Sequence, residues 1–319
     1  MRVIGADEIR RVLTLPDLIA AMEASHRRPR IAIHDHLMGE ERALYFVRSA
    51  ADQGRAFGSK LFTSFPANLV VDDAGLARWP AVQGVYVLFS GVDGRPQAIL
   101  DGTEITWWKT AADSGLGAKL LALPEPETLV VVGAGAIAPW LVRAHRCVRP
   151  SIRRVLVWNR THERAERLAA RLRAEGVAAE ATADLEAAVD QAQVITSATR
   201  SHTPLIKGAW LAPGAHLDLV GGYTPQTREA DDAAAQRSRI FVDRRESAFH
   251  GVGDILQPIA SGAIRHEDVL GDLYDLVGRG IPGRLGANDI TFFKNAGGGH
   301  LDLMTAQAIM SRLDADANA

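Results

Sequence analysis

The sequence predicts an α/β protein of two domains: a doubly wound parallel sheet and a discontinuous α+β unit. Three observations carry that prediction. Leu129–Val142, LVVVGAGAIAPWLV, reads as a buried strand, a tight glycine turn and the first turns of a helix. Residues 129–245 alternate strand and helix patterns, which implies a parallel sheet with both faces covered. Residues 43–100 instead show strand patterns joined by turn signals, which implies an antiparallel sheet.

In chain order, residues 6–23 read as one or two amphipathic helices. Ile9, Val12 and Leu13 share a face, and Pro16-Asp17 opens the second run at a first-turn position. The basic stretch His26–Arg30 is either a solvated loop or a functional one. Ala43–Val47 and Ser59–Phe65 are expected strands, the latter with Lys60, Phe62 and Ser64 on one face. Val85–Phe89 and Pro96–Leu100 flank Gly91-Val92-Asp93-Gly94, a hairpin turn. Ile105–Leu123 is an expected helix, stopped by Pro124 and Pro126.

The parallel series follows: strand 129–132, helix 136–147, strand 154–158, helix 162–174, a weak strand near 177–181, helix 184–191, and strands 193–197, 215–220 and 239–242. Gly251–Ala263 and His266–Asp275 read as helical, Gly278–Gly286 as a loop, Ile290–Lys294 as a strand and His300–Leu313 as the last helix. That helix is too short to stand alone and is expected to return to the first domain. The expected boundaries are 1–115 for a substrate and dimerisation domain, 116–288 for the nucleotide domain, and 289–319 for the returning segment.

Composition narrows the function. The chain has 319 residues, 47% hydrophobic and 23% charged, enough for sizeable cores without staples. Its net charge is 36 − 38 = −2, so no nucleic acid or anionic membrane is expected as partner. Cys147 is the single cysteine, which excludes an internal disulfide and suits a reducing cytoplasm. It reads as a core residue. The N-terminus lacks a signal peptide's apolar run, and no run approaches the ~18–20 residues of a membrane span.

The glycine turn spells Gly133-x-Gly135-x-x-Ala138, the G-x-G-x-x-A form of the Rossmann fingerprint. Gly133 permits the turn, Gly135 lets backbone approach a pyrophosphate, and Ala138 lets the helix lie close on its strand. The N–H groups around Ala136 and Ile137 then face the phosphates at the positive end of the helix dipole. The next strand ends in Asn159-Arg160-Thr161, with Arg164 one turn on, where an acidic residue would read the ribose of NAD. Arginine matches a 2′-phosphate instead, so NADPH is expected, with NADH the alternative. A solvated loop arginine would read the same way. Ser197, Thr199 and Gly221, at the carboxyl ends of later parallel strands, complete the expected cofactor contacts.

Two lysines are candidates for chemistry. Lys60 interrupts the otherwise uncharged strand SKLFTSF, where it could bind a carboxylate or pass a proton. Lys109 follows two tryptophans on the helix leading to the nucleotide domain. The alternative reading of each is a surface lysine. There is no metal-ligand spacing and no G-x-S-x-G elbow. Asp254, Asp272 and Asp275 read as solvated faces.

Taken together, the chain resembles the ornithine cyclodeaminase/mu-crystallin family. The resemblance rests on Lys60-Leu61 with Phe65-Pro66-x-Asn68, Ala98–Gly102 with Ile105-Thr106, Lys109-Thr110-Ala111-Ala112, Val132–Gly135, Trp158–Thr161, Pro213–His216, Arg228-Glu229 with Asp231, Val242-Asp243, Gly253-Asp254, and Ile290-Thr291-x-Phe293-Lys294. It implies a homodimer of two-domain subunits binding NAD(P) and a small amino or imino acid. By motif, Lys60 matches a substrate-carboxylate lysine, Arg30 an N-terminal substrate arginine, and Thr110 a cofactor-contacting threonine.

Two departures select among the family's activities. Lys109 stands where an arginine is usual, keeping the charge but losing the bidentate fork. Tyr223 follows Gly221-Gly222 where cyclodeaminases carry an aspartate that assists deamination. The set 109–114, 221–225 and 294–300 looks most like the branch that reduces Δ1-pyrroline-2-carboxylate in hydroxyproline catabolism. The resemblance therefore implies NADPH-dependent reduction of that cyclic imino acid to L-proline, with Δ1-piperideine-2-carboxylate to L-pipecolate as a related reaction. The alternatives are an NAD-dependent cyclodeaminase or amino-acid dehydrogenase, and a non-catalytic NADPH-binding crystallin. Lys60 and Lys109 are the catalytic candidates, and Arg30, Lys60, Lys109 and His300 the substrate contacts. His300 and Asp302, behind Gly297-Gly298-Gly299, either line the site or begin the last helix; both readings stay open.

Overall fold

Two sheets of opposite character divide the chain. The computed structural model describes residues 1–40, 43–69 and 82–317. It separates into one unit of Met1–Lys109 with Gly298–Ala319, and a second of Thr110–Gly297.

The first unit contains β1 (Arg2–Ile4), α1 (Ala6–Val12), α2 (Leu15–His26), β2 (Ala32–Glu40), β3 (Ala43–Asp52), β4 (Ala56–Ser64), β5 (Val82–Ser90) and β6 (Pro96–Asp101). The sheet order is β1-β6-β5-β4-β3-β2. Every pairing is antiparallel except that of β1 with β6. Thr14 caps α2 by accepting from the Asp17 N–H at 3.3 Å, and Pro16 sits in the first turn, where its missing N–H costs nothing. The C-terminal helix, Gly299–Ala317, packs across β2–β5 and against α2. It covers the face of β4 to which Ala56, Gly58 and Lys60 contribute buried positions. The helix α3 (Gly102–Leu121) follows β6, and the division between units falls within it.

The second unit contains β7 (Thr128–Val132), α4 (Ala138–Val148), β8 (Arg154–Trp158), α5 (His162–Ala174), β9 (Ala179–Ala181), α6 (Leu185–Asp190), β10 (Val194–Ser197), β11 (His216–Leu219), α7 (Asp232–Gln236), β12 (Ser238–Val242), α8 (Arg245–Ala248), α9 (Gly253–Ala260), β13 (Val269–Asp272), α10 (Leu273–Gly278) and β14 (Ile290–Lys294). These strands form one parallel sheet in the order β13-β12-β14-β11-β10-β7-β8-β9. Alternate residues of β7 serve the two faces: Val130 and Val132 join one core, Leu129 and Val131 the other. The order reverses between β7 and β10, so the turns after these strands stand at the topological switch point.

Several expectations are corrected. β1 and β2 went unforeseen because one is three residues long and the other, carrying His34-Asp35-His36 on a sheet edge, shows no apolar alternation. His266–Asp275 is not one helix: it is a short 3-10 turn, then β13, then the start of α10. Ile290–Lys294 pairs with β11 and β12, so the chain returns to the first unit at Gly298 rather than at 289. His26 closes α2 and is buried, so the basic stretch is not wholly solvated. Cys147, in the last turn of α4, is half-buried rather than core. Asp254, Asp272 and Asp275 are all buried. Asp272 and Asp275 form a reciprocal capping box at the start of α10.

Candidate functional site

In the first unit, Lys60 of β4, Lys109 of α3 and Asp302 of the C-terminal helix meet in the interior. Lys60 is 5% exposed, Lys109 3% and Asp302 not at all. The Lys109 ammonium donates to Asp302 Oδ2 at 3.0 Å and to the Gly298 carbonyl at 3.4 Å. Lys60 Nζ stands 3.7 Å from Asp302 Oδ1 and donates to Thr106 Oγ1, whose hydroxyl in turn donates to the Gly102 carbonyl at 2.7 Å. Lys60 also lies 5.0 Å from the centre of the Phe62 ring, which stacks on Phe46. Two cations thus share one carboxylate, leaving a net positive charge where water is scarce.

Burial disfavours the Lys60 ammonium and, with Lys109 and Arg48 nearby, outweighs Asp302 to bring its pKa down to about 8. Burial likewise opposes the Asp302 carboxylate, but Lys109, Lys60 and Arg48 prevail and hold its pKa below the ordinary value. The Tyr86 hydroxyl is buried on β5, where its residue pairs in register with Lys60, and burial and Asp302 keep it protonated.

The other substrate candidates lie differently. Arg30 is exposed on the connection from α2 to β2. His300 is fully buried, and its ring meets that of His26 edge-on at 6.0 Å. His300 and Asp302 are two residues apart on one helix, so their side chains leave it on different sides.

In the second unit, the fingerprint residues form the turn between β7 and α4. Gly133 has φ +106°, and a Cβ there would meet the Ala198 carbonyl at 2.7 Å. A Cβ on Gly135 would meet nothing within 4 Å, so that face of the turn is open. Ala138 is fully buried at the start of α4. Among the described residues, the N–H groups of Gly135, Ala136 and Ile137 have no acceptor. Free donors at a helix N-terminus beside a glycine with no steric neighbour fit a pyrophosphate.

Asn159 shapes the turn: its Oδ1 accepts from the Ala134 N–H at 3.2 Å and its Nδ2 donates to the Thr161 carbonyl at 2.8 Å. Arg160, Thr161 and Arg164 are exposed, and neither arginine has an ion-pair partner among the described residues. Replacing Arg160 with alanine is expected to raise the KM for NADPH roughly tenfold while leaving that for NADH within about twofold. Equal effects on both cofactors would remove Arg160 as a phosphate reader.

Ser197, Thr199 and Gly221 are tied together by a residue not singled out as a site candidate from sequence. Glu229 Oε1 accepts from Ser197 Oγ at 2.6 Å and from the Thr199 N–H and hydroxyl at 2.7 and 2.8 Å. Its Oε2 accepts from the Gly221 N–H at 2.6 Å. The buried carboxylate thereby fixes the turns after β10 and β11. Burial and the neighbouring Asp254 push its pKa up to about 7. Asp254 accepts from the Glu229 N–H at 2.7 Å and pairs with Lys294, also fully buried, at 3.0 Å. Thr110 is half-buried, and its carbonyl accepts from Asn295 Nδ2 at 2.9 Å.

These features invite comparison with known proteins. The description "Ornithine cyclodeaminase/mu-crystallin family" matches residues 19–316. The chain belongs to the ornithine cyclodeaminase/mu-crystallin family. Within it, a curated Delta(1)-pyrroline-2-carboxylate reductase of Paracoccus denitrificans is 46% identical over 299 residues, 93% of this chain and 92% of that one. The iminosuccinate reductase of Paracoccus denitrificans, solved in complex with NAD+, has TM-score 0.89 and 29% identity, covering 99% of this chain and 97% of that one. A Delta(1)-pyrroline-2-carboxylate reductase of Thermococcus litoralis, solved with NADH and L-proline, has TM-score 0.91 over 99% and 98% of the two chains. Its identity is 23%, so this last likeness is one of fold. The family membership confirms the resemblance drawn from Lys60-Leu61, Lys109–Ala112 and Val132–Gly135. No helix of the described residues is long and apolar enough to cross a membrane.

Proposed function

We propose that the protein reduces Δ1-pyrroline-2-carboxylate to L-proline with a nicotinamide cofactor. The observation that carries this reading is the buried pair Lys60 and Lys109 around the single carboxylate of Asp302. A net positive charge in a water-poor place suits a small α-carboxylate, and an ammonium with a pKa near the working pH suits proton delivery to a ring nitrogen. The 46% identity to a reductase of this name supports it. So does Tyr223, which places a phenol where the cyclodeaminases carry an aspartate.

When bound, the reduced nicotinamide supplies a hydride to the carbon of the C=N bond. The protein's residues do the rest. Lys109, with Arg30 as the outer contact, holds the carboxylate and so sets which face of the ring is offered. The Lys60 ammonium gives its proton to the ring nitrogen, making C=N into CH–NH, and regains a proton from solvent. Thr106, accepting from the Lys60 ammonium, keeps it in place. Gly133, Gly135, Ala136 and Ile137 hold the pyrophosphate, Arg160 and Arg164 the 2′-phosphate, and Thr110, Ser197, Thr199 and Gly221 the remainder of the cofactor.

A pH dependence follows. The pKa of Lys60 is down to about 8, so its acid form is lost as pH rises through that value. The kcat/KM for the imino acid is expected to fall above about pH 8. A rate flat up to pH 10, about two units beyond that pKa, would remove Lys60 as the donor. The activity itself is tested by loss of NADPH absorbance with Δ1-pyrroline-2-carboxylate, against NADH and against ornithine plus NAD. Consumption with formation of L-proline supports the proposal; ammonia from ornithine without imine reduction overturns it.

The reading extends to a cytoplasmic homodimer. Leu37, Met38, Phe65, Val82 and Val85 are large apolar side chains exposed on or beside the first unit's sheet. Among the described residues β2 is an edge strand of its sheet, where a second copy would pair. Sedimentation at a mass near twice 34.4 kDa is the expected result.

A further inference from the structure

Asp302 is fully buried, yet its two oxygens are unequally used. Oδ2 takes a hydrogen bond from Lys109, whereas Oδ1 has no hydrogen-bond partner among the described residues and looks towards Lys60 Nζ at 3.7 Å. Among the described residues the buried Tyr86 hydroxyl is also without a partner. A buried carboxylate with one oxygen unfilled is costly unless the charges around it compensate. Here two ammonium groups do so, and neither lysine has another carboxylate among the described ion pairs. Lysine lacks the fork by which an arginine would fix itself in a plane, so Lys109 needs an external anchor to hold a direction.

We infer that Asp302 is a positioning residue for the reduction, bridging Lys60 and Lys109 so that both ammonium groups point at one substrate carboxylate and one ring nitrogen. This rests on the reductase reading and adds to it a residue that acts through the two lysines.

The bridge makes a prediction that bulk packing does not. Lys60 is faced by Arg48 from β3, which is paired with Asp35 at 2.9 Å; by Tyr86 from β5; by Lys109 and Thr106 from α3; and by Asp302 from the C-terminal helix. Of these, Asp302 is the carboxylate favouring the charged form of Lys60, while burial, Lys109 and Arg48 oppose it. Asp302→Asn keeps the shape and removes the charge. It should therefore lower the Lys60 pKa by about one unit or more, the range for an opposite charge at this distance. Lys109→Met should move it the other way, because a like charge is lost.

The test is the pH profile of kcat/KM for Δ1-pyrroline-2-carboxylate in the full-length protein. In Asp302→Asn, the alkaline limb should move down by about one pH unit or more and the imino-acid KM should rise at least about tenfold. The KM for NADPH should stay within about twofold, and Asp302→Glu should restore the limb to within about half a unit. A folded Asp302→Asn with an unmoved limb overturns the inference, as does an unmoved limb in Lys109→Met should the first variant not fold. The chain has only five lysines (Lys60, Lys109, Lys119, Lys207 and Lys294), so their side-chain nitrogens can also be titrated individually by NMR without turnover. A Lys60 titration that shifts as stated in a protein with no imine-reducing activity would retain the bridge and reject the reductase reading. The converse pattern would do the opposite.

Discussion

Lys60→Met is expected to lower kcat/KM for Δ1-pyrroline-2-carboxylate by more than about 100-fold, the range for losing a general acid together with its orienting charge. Methionine keeps the length and apolar stem of lysine, and it leaves the Lys109–Asp302 pair at 3.0 Å intact. The fold should hold. What disappears is the ammonium that donates to Thr106 and faces Asp302. The alkaline limb near pH 8 should vanish with it, because the group that titrates there is gone. The loss should appear in kcat as well as KM, since a proton is needed in the transition state and not only for binding. A loss below about tenfold, or a persisting limb, would assign the proton to another group.

Gly135→Val is expected to abolish useful cofactor binding while leaving the protein as stable as before. The two glycines of the turn differ. Gly133 has φ +106°, and the Ala198 carbonyl lies 2.7 Å from where a Cβ would stand, so the fold itself demands glycine there. Gly133→Ala should therefore lose about 1–2 kcal/mol from the left-handed backbone alone and melt some degrees lower. Gly135 has no positive φ and nothing within 4 Å. A Cβ there would meet no described atom, so in the proposed function the glycine serves close approach by the cofactor. Melting of Gly135→Val should stay within about 2 °C of the parent. The KM for NADPH should rise about 100-fold, as expected when a ligand is displaced by the width of a side chain. Normal cofactor binding by Gly135→Val would mean that this turn is structural.

What the sequence revealed depended on how far a residue's neighbours lay along the chain. The parallel sheet was legible because β7 is uninterrupted Leu-Val-Val-Val after Thr128, and its turn is a local motif. Lys60 was legible because a lone charge in an apolar strand has few explanations. The same signal stood at Lys294, which closes the strand Ile-Thr-Phe-Phe-Lys and is fully buried against Asp254. Glu229 and Asp302 were harder. Each gains its meaning from partners distant in sequence: Glu229 from Ser197 and Thr199, Asp302 from Lys60 and Lys109. An acidic residue near a helix N-terminus has a sufficient local explanation in the helix dipole, which conceals a tertiary one. Asp254 was misread as solvated for the same reason, since its second position in α9 looks like ordinary dipole pairing. β2 escaped because edge strands need no apolar alternation.

In the proposed reaction a hydride reaches the C=N carbon of a cyclic imino acid while Lys60 protonates the nitrogen. The most direct measurement is turnover of Δ1-pyrroline-2-carboxylate with NADPH carrying deuterium at the transferable position of the nicotinamide. The expected product is L-proline with one deuterium on the α-carbon, no label elsewhere, and no ammonia released. Unlabelled proline, label at another carbon, or ammonia liberated from ornithine in place of imine reduction would contradict it.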